Sequence, residues 1–180
     1  MKILVISDTH GDLTKAKNVI KKHSDSDLIV HCGDNIKDAK ELKNFTSIGI
    51  IMVKGNCDGS QSQDDFIKYK TPYGTILIVH GHQYGIDNSY LNLAYKAKEE
   101  NCVAVLAGHT HVSYLGEHSG IKILNPGSLS RPRDGKPGSY GIIKVSADEF
   151  SYSIEYYNDK KTKKVTGGFL RGMINHSDRY

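Results

Sequence analysis

Met1-Lys2-Ile3-Leu4-Val5-Ile6-Ser7-Asp8-Thr9-His10-Gly11 opens the chain. Ile3–Ile6 is too short an apolar run for a helix and reads as a buried strand. It ends at Ser7-Asp8, and two side chains able to bind metal, Asp8 and His10, follow at i and i+2. The same grammar recurs four times. Leu28–His31 leads to Gly33-Asp34, and Ile48–Val53 leads to Gly55-Asn56-Cys57-Asp58. Thr75–Val79 leads to His80-Gly81-His82, and Val103–Ala107 leads to Gly108-His109-Thr110-His111. In open α/β sheets ligands lie beyond the carboxyl ends of the strands, so five such ends can converge on one edge. Any one of these pieces could be a plain turn or a satisfied histidine; the bland reading must hold at all five strand ends at once.

Between the first three runs the spacing predicts helices. Leu13, Ala16, Val19 and Ile20 recur at helical period over Asp12–His23, with Asp12 as the cap, and Ala39–Phe45 is a weaker helix. Strand–helix–strand–helix–strand is a parallel α/β unit. The later chain changes character, with β-like segments at Lys68–Lys70, Thr75–Val79, Ile121–Leu124, Tyr140–Val145 and Phe150–Tyr157, and a helix over about Asn88–Glu100. The expected fold class is α/β, with two mixed sheets packed face to face. With no repeat or linker, residues 1–166 read as one domain. Residues 167–180, opening on Gly167-Gly168, read as a tail that is flexible or an addition to the natural chain.

The bulk properties exclude several classes. The 180 residues carry a net charge of +4, and residues 158–180 alone account for it with six Lys/Arg against two Asp. The body of the protein is neutral, so a nucleic-acid face is not indicated. Cys32, Cys57 and Cys102 have no framework spacing and no Cys-x-x-Cys pair, which argues against a disulfide scaffold and a zinc ribbon. No apolar run approaches the roughly 18 residues of a membrane span, and the N-terminus lacks a signal-peptide pattern. The expected location is cytoplasmic.

The ordered set Asp8-x-His10, Gly33-Asp34, Gly55-Asn56-x-Asp58, His80-Gly81-His82 and Gly108-His109-x-His111 resembles the calcineurin-like metallophosphoesterases. The short length and Asn125-Pro126-Gly127-Ser128 resemble their small YfcE-type phosphodiesterases. The resemblance covers roughly residues 1–157 and implies two mixed sheets with helices outside. It implies two divalent metal ions: Asp8, His10 and His111 on the first, Asn56, His80 and His109 on the second, and Asp34 bridging both. Mn is favoured by resemblance, and Fe, Zn and Ni also suit these ligands. It further implies hydrolysis by a hydroxide held between the metals, with no phospho-enzyme. Asp34 and Asn56 would then be catalytic, Asn56 also touching substrate.

Cys57 stands where many members of the family carry a histidine that serves the leaving group. Either the chain prefers good leaving groups or His82 substitutes. For Cys57 itself a small buried turn residue is the favoured reading. Arg131 and Arg133 can clamp a phosphate oxygen or belong to a solvated loop. Asp58 is expected to order its own loop, His31 to pack or to support the site, and Cys32 and Cys102 to lie in the core. His23, His118 and His176 are expected at the surface.

The leading expectation is a phosphodiesterase acting on a small phosphate ester. A phosphomonoesterase or nucleotidase on the same site is the alternative, and the ligand set does not separate them. From another class comes a non-catalytic interaction scaffold of the retromer-subunit type, which altered metal positions would favour; here all seven positions hold metal-capable residues. A different metal hydrolase, such as an amidase, is disfavoured by the motif order. Exposed apolar residues on the later strands would allow a homodimer or homotetramer.

Overall fold

The computed structural model describes residues 1–59 and 65–158, and the backbone of 163–166. Its elements run β1 (Lys2–Ile6), α1 (Thr14–Lys22), β2 (Leu28–His31), α2 (Ile36–Phe45), β3 (Ile50–Met52), β4 (Phe66–Lys70), β5 (Thr75–Val79), α3 (Leu91–Glu99), β6 (Ala104–Leu106), β7 (Ser113–His118), β8 (Ile121–Pro126), β9 (Ser139–Val145), β10 (Phe150–Tyr156) and β11 (Lys163–Thr166). One sheet has the order β11-β10-β9-β1-β2-β3, the other β4-β5-β6-β8-β7. Both are mixed. β1, β2 and β3 run parallel while β9 joins β1 antiparallel, with Lys2 opposite Lys144. β5, β6 and β8 run parallel between antiparallel β4 and β7.

The layering follows from the two-residue period of each strand. Ile3 and Val5 of β1 and Val30 of β2 turn one way and pack with Ile76, Ile78, Leu106 and Leu124 of the second sheet. Leu4 and Ile6 turn the other way onto Ala16, Val19 and Ile20 of α1 and Ala39 and Leu42 of α2. Leu77, Val79 and Val105 form the opposite face of the second sheet and meet Leu93, Ala94 and Ala97 of α3. Strands buried on both faces need continuous apolar runs, which is why Ile3–Ile6 and Ile76–Val79 show no polar alternation. The result is the expected sandwich of two mixed sheets flanked by helices.

The differences from the expected elements have local causes. Asp12, expected as the cap of α1, stands one residue before the N-cap, which is Leu13 without a side-chain cap; its Oδ1 accepts the Thr14 N–H at 3.0 Å. α2 begins three residues before the predicted Ala39 because its first N–H groups are met from elsewhere in the chain. Asp58 Oδ1 accepts from Asn35 N at 3.0 Å and from Ile36 N at 2.7 Å. α3 starts at Leu91, later than Asn88, where Ser89 Oγ accepts the Leu91 N–H at 3.2 Å. β7 has no counterpart among the expected segments; Gly116 and its polar neighbours hide its periodicity, and pairing with β8 makes it an edge strand. β11 had no predicted counterpart. The expected tail, 167–180, and His176 lie outside the described residues.

Among the described residues the later strands expose little of the apolar surface expected of them. Among the described residues the exposed large hydrophobics are Met1, Phe66, Leu91, Tyr95 and Val112, and of these Phe66 alone lies in a strand. Among the described residues no helix is long and apolar enough to cross a membrane.

Asp58 ties the loop after β3 to the start of α2, since its Oδ2 also accepts the Gly55 N–H at 2.8 Å. Asp58→Ala strands three N–H groups and should lower stability by about 3 kcal/mol. Chemical denaturation against the parent protein checks this; a loss within error would show that water replaces the carboxylate.

Candidate functional site

Each sheet delivers residues to the same edge. Asp8 and His10 follow β1, Asp34 follows β2, and Asn56 opens a 3-10 turn after β3. His80 follows β5, and His109 and His111 follow β6. The chain must turn sharply just past each strand, and the backbone records it. Asp8, His10, Asp34, His109 and His111 all have positive φ, between 45° and 71°. Non-glycine residues rarely adopt this region, and such strain concentrates at functional sites.

The glycines beside them let the loops approach one another. A Cβ on Gly55 would collide with the Asp34 carboxylate, and one on Gly108 would lie 2.7 Å from Asp8 Oδ2 and collide with Ser7 Oγ. Their role is thus close approach of backbone to the neighbouring carboxylates.

All seven sequence-predicted residues come together. Atoms of Asp8, His10, Asp34 and His111 lie within 4.8 Å of one another. Asn56 Oδ1 lies 3.1 Å from His80 Nε2 and 3.0 Å from His109 Nδ1. Asp34 faces both groups: Oδ1 is 3.2 Å from His80 Nε2, and Oδ2 is 3.7 Å from His10 Nε2.

The outer hydrogen bonds decide what the inner atoms need. His80 Nδ1 donates to Cys32 O at 2.8 Å, His111 Nδ1 donates to Arg131 O at 2.8 Å, and His109 Nε2 donates to Asp87 Oδ2 at 3.0 Å. With one nitrogen so engaged, the other nitrogen of each ring faces inward, where it presents a lone pair unless a proton occupies it. Those lone pairs face Asn56 Oδ1, Asp34 Oδ1, Asp8 Oδ1 and the His10 ring, with His111 Nε2 3.3 Å from Asp8 Oδ1 and 3.0 Å from His10 Nε2. Acceptor against acceptor is repulsive unless a proton or a cation lies between. Asp8 Oδ1 is moreover buried without a hydrogen-bond donor, a costly state for a carboxylate oxygen. Imidazoles held from behind by carbonyl or carboxylate acceptors are the usual setting of metal-ligating histidines, so the donor set fits divalent metal.

Titration directions agree. Burial opposes charge on Asp34, but a proton on the inward His80 Nε2, where no cation takes its place, and the Cys57 N–H and thiol hydrogen-bond it and hold its carboxyl well below the usual range. Burial likewise opposes charge on His80, and the Asp34 and Asp8 carboxylates outweigh it, raising its pKa. The site is an anionic pocket that rewards a positive occupant.

Around this centre a buried chain supports the first loop. Gly33 N–H donates to His31 Nδ1 at 3.3 Å, so His31 Nε2 donates to Thr9 Oγ1 at 3.2 Å, and Thr9 Oγ1 donates to Asp38 Oδ2 at 2.7 Å. Complete burial holds the His31 pKa down at about 4, so the ring is neutral. Asn125 and Ser128 also reach the site: Asn125 Nδ2 donates to Gly108 O at 2.6 Å, and Ser128 Oγ donates to Asp8 O at 2.8 Å. Asp87 had no sequence signal, because its contact joins two loops distant in sequence.

Several expectations are corrected. Cys57 is exposed, because the 3-10 turn directs it outward beside Asp34. Its thiol hydrogen-bonds that carboxylate, which together with burial pushes its pKa up to about 11. His23 is buried under Tyr140, with Nε2 3.1 Å from the hydroxyl. His118 is half-buried, 2.7 Å from Tyr114 OH. His82 stands beside the centre, ring centroids 5.5 Å from His80 and 6.1 Å from His109, with Nδ1 unpartnered. Arg131 lies at the rim, Nη2 3.5 Å from His10 O, whereas Arg133 is joined to the site by its backbone, N to His111 O at 3.1 Å. Cys32 and Cys102 are buried as expected.

Fold and site together define a double-sheet α/β domain with a candidate metal-binding cluster on the carboxyl edge of its strands. Residues 1–148 match the calcineurin-like phosphoesterase superfamily domain, and the chain belongs to that family. It is 31% identical over 159 residues to the probable metallophosphoesterase YsnB of Bacillus subtilis (strain 168), covering 88% of this chain and 91% of that one. It is 29% identical over 167 residues to the phosphodiesterase YfcE of Escherichia coli (strain K12), covering 79% and 87%. A crystal structure of wild-type Vps29 with Zn2+ from Entamoeba histolytica shares the fold, with a TM-score of 0.74, 22% identity and coverage of 93% and 98%.

Gly55→Ala should push the Asp34 carboxylate aside and weaken divalent-metal affinity by about tenfold or more. Calorimetric titration with Mn2+ measures it. Gly49→Ala is the control, since its added methyl meets nothing closer than 4.0 Å.

Proposed function

We propose that the protein is a dinuclear metal-dependent phosphodiesterase. The observation that carries this reading is the convergence of imidazole nitrogens and carboxylate oxygens, with the rings of His80, His109 and His111 each held from behind by an acceptor. Asp8, His10 and His111 would hold one metal, Asn56, His80 and His109 the other, and Asp34 both. The metals when bound would supply Lewis acidity and an activated water at neutral pH. Mn is the favoured metal, and Fe, Zn and Ni suit the same donors. The names of the relatives support the diester as substrate.

The chain's own residues then have distinct tasks. Asp34 is kept ionised by its hydrogen bonds and so stays available to cations. Arg131, exposed and at the rim beside His10, can pair with a phosphate oxygen from the solvent side. Arg133 is the second candidate, since its backbone is fastened to His111. Asn56 projects from the same edge and can steer substrate as well as metal. Cys57 is a neutral thiol under these conditions and brings no positive charge to a departing oxygen. His82, its pKa lowered by burial and by the neighbouring His80 and His109, is neutral too. The site therefore suits substrates with good leaving groups.

Protein stripped with chelator should lose cleavage of bis-p-nitrophenyl phosphate and regain it with Mn2+. Asp34→Asn and His109→Ala should each depress the restored rate on the order of 100-fold or more. Better cleavage of p-nitrophenyl phosphate would favour a phosphomonoesterase. Inactivity with every divalent metal in folded, metal-loaded protein would sink the enzymatic reading and favour a scaffold.

Cys57→His restores a general acid at the loop. Turnover of a diester with a poor leaving group should rise about tenfold, well within the range of acid catalysis, while bis-p-nitrophenyl phosphate gains little. Equal effects on both would mean that Cys57 does not face the leaving group.

A further inference from the structure

Beside His109 lies a depression of about 250 Å3, lined by Ile86, Asp87, Tyr90, Thr110, Val112 and Tyr114. It adjoins the candidate metal cluster across the His109 ring. Thr110 is the residue between His109 and His111, and Asp87 Oδ2 sits 3.0 Å from His109 Nε2. Only the His109 ring separates Asp87 from Asn56.

The walls suit a flat ring. Tyr90 and Tyr114 stack with centroids 4.2 Å apart and planes 14° apart. Both are fixed before any ligand arrives: Asn125 Nδ2 donates to Tyr90 OH at 3.1 Å, and Tyr114 OH is 2.7 Å from His118 Nε2. An aromatic wall already ordered costs little entropy on binding. Ile86 is buried and Val112 is 37% exposed, so apolar surface runs from the interior to the opening. The charged lining residue, Asp87, keeps its side chain 58% exposed, so a ring need not bury a bare carboxylate. The volume falls below the roughly 300 Å3 at which pockets for drug-sized ligands begin, so it fits one ring and not a peptide or a second copy of the chain.

We propose that this depression is the substrate's ring subsite: the enzyme's preferred phosphodiesters carry one aromatic arm, an aryl group or a nucleobase, seated against Ile86, Tyr90, Val112 and Tyr114. The inference rests on the phosphodiesterase reading for the word substrate, while ring binding can be measured without turnover. Val112 is the residue to change, because it is exposed at the mouth and a glutamate there places charge where the ring would lie.

Titration calorimetry of Mn-loaded protein with diphenyl phosphate and with dimethyl phosphate should show the diphenyl compound binding tighter by about tenfold or more. Val112→Glu should cut that ratio at least about threefold; a ratio within one protein cancels any effect on the metal centre common to both ligands. Equal affinities, no binding of either compound, or a ratio unchanged in Val112→Glu would overturn the subsite. Turnover of phenyl p-nitrophenyl phosphate and methyl p-nitrophenyl phosphate, which share a leaving group, separates the two readings. Cleavage of both without ring preference overturns the subsite alone. Ring-selective binding without cleavage under any divalent metal overturns the phosphodiesterase reading and leaves a ring-binding site.

Discussion

The dry contact between the two sheets is the constraint on which the rest depends. Ile3, Val5 and Val30 on one side and Ile76, Ile78 and Leu106 on the other set the sheets face to face. Only then do the carboxyl ends of β1, β2 and β3 share an edge with those of β5 and β6. Neither group of metal-capable residues belongs to one sheet. His111 comes from the second sheet to join Asp8, His10 and Asp34, and Asn56 comes from the first to join His80 and His109. A core that slipped by one strand register would turn the apolar faces outward and separate the halves of the centre together.

The edge itself is unfavourable as folded polymer alone. It holds bent backbone at five non-glycine positions, a buried carboxylate oxygen without a donor, and lone pairs pointed at oxygens. Such costs persist only where the surroundings over-determine them. Asp58, the His31–Thr9–Asp38 chain and the Asn125 and Ser128 bonds supply that determination, each fixing a loop by its backbone or by a buried partner. The preorganisation is thus electrostatic as well as geometric: acceptors behind the imidazoles choose the tautomer, and the tautomer chooses the occupant.

What the sequence made legible was whatever repeated. Five apolar runs ending in Asp, Asn or His located every member of the cluster, because strand, turn and ligand are contiguous in the chain. Elements held by distant partners were not legible. The early start of α2 depends on Asp58, twenty-two residues after Ile36, and the ordering of His109 depends on Asp87 from another loop. Polar and apolar residues mix in β7, so its two-residue period is lost, and only pairing with β8 reveals it. Cys57 and His23 were misjudged for a related reason. Burial belongs to the turn and the packed neighbour, and residue type alone does not report either.

The register of β1 has a consequence for biosynthesis. β1 has β2 on one flank, close in sequence, but on the other flank it waits for β9, where Lys2 meets Lys144. All seven residues of the metal cluster have been translated by His111, well before that second flank exists. A nascent chain at that stage carries its ligands on a sheet with an open seam, and closing so long a loop is slow. The edge that gathers the seven residues is therefore held on both flanks of β1 only once Ser139–Val145 has joined it.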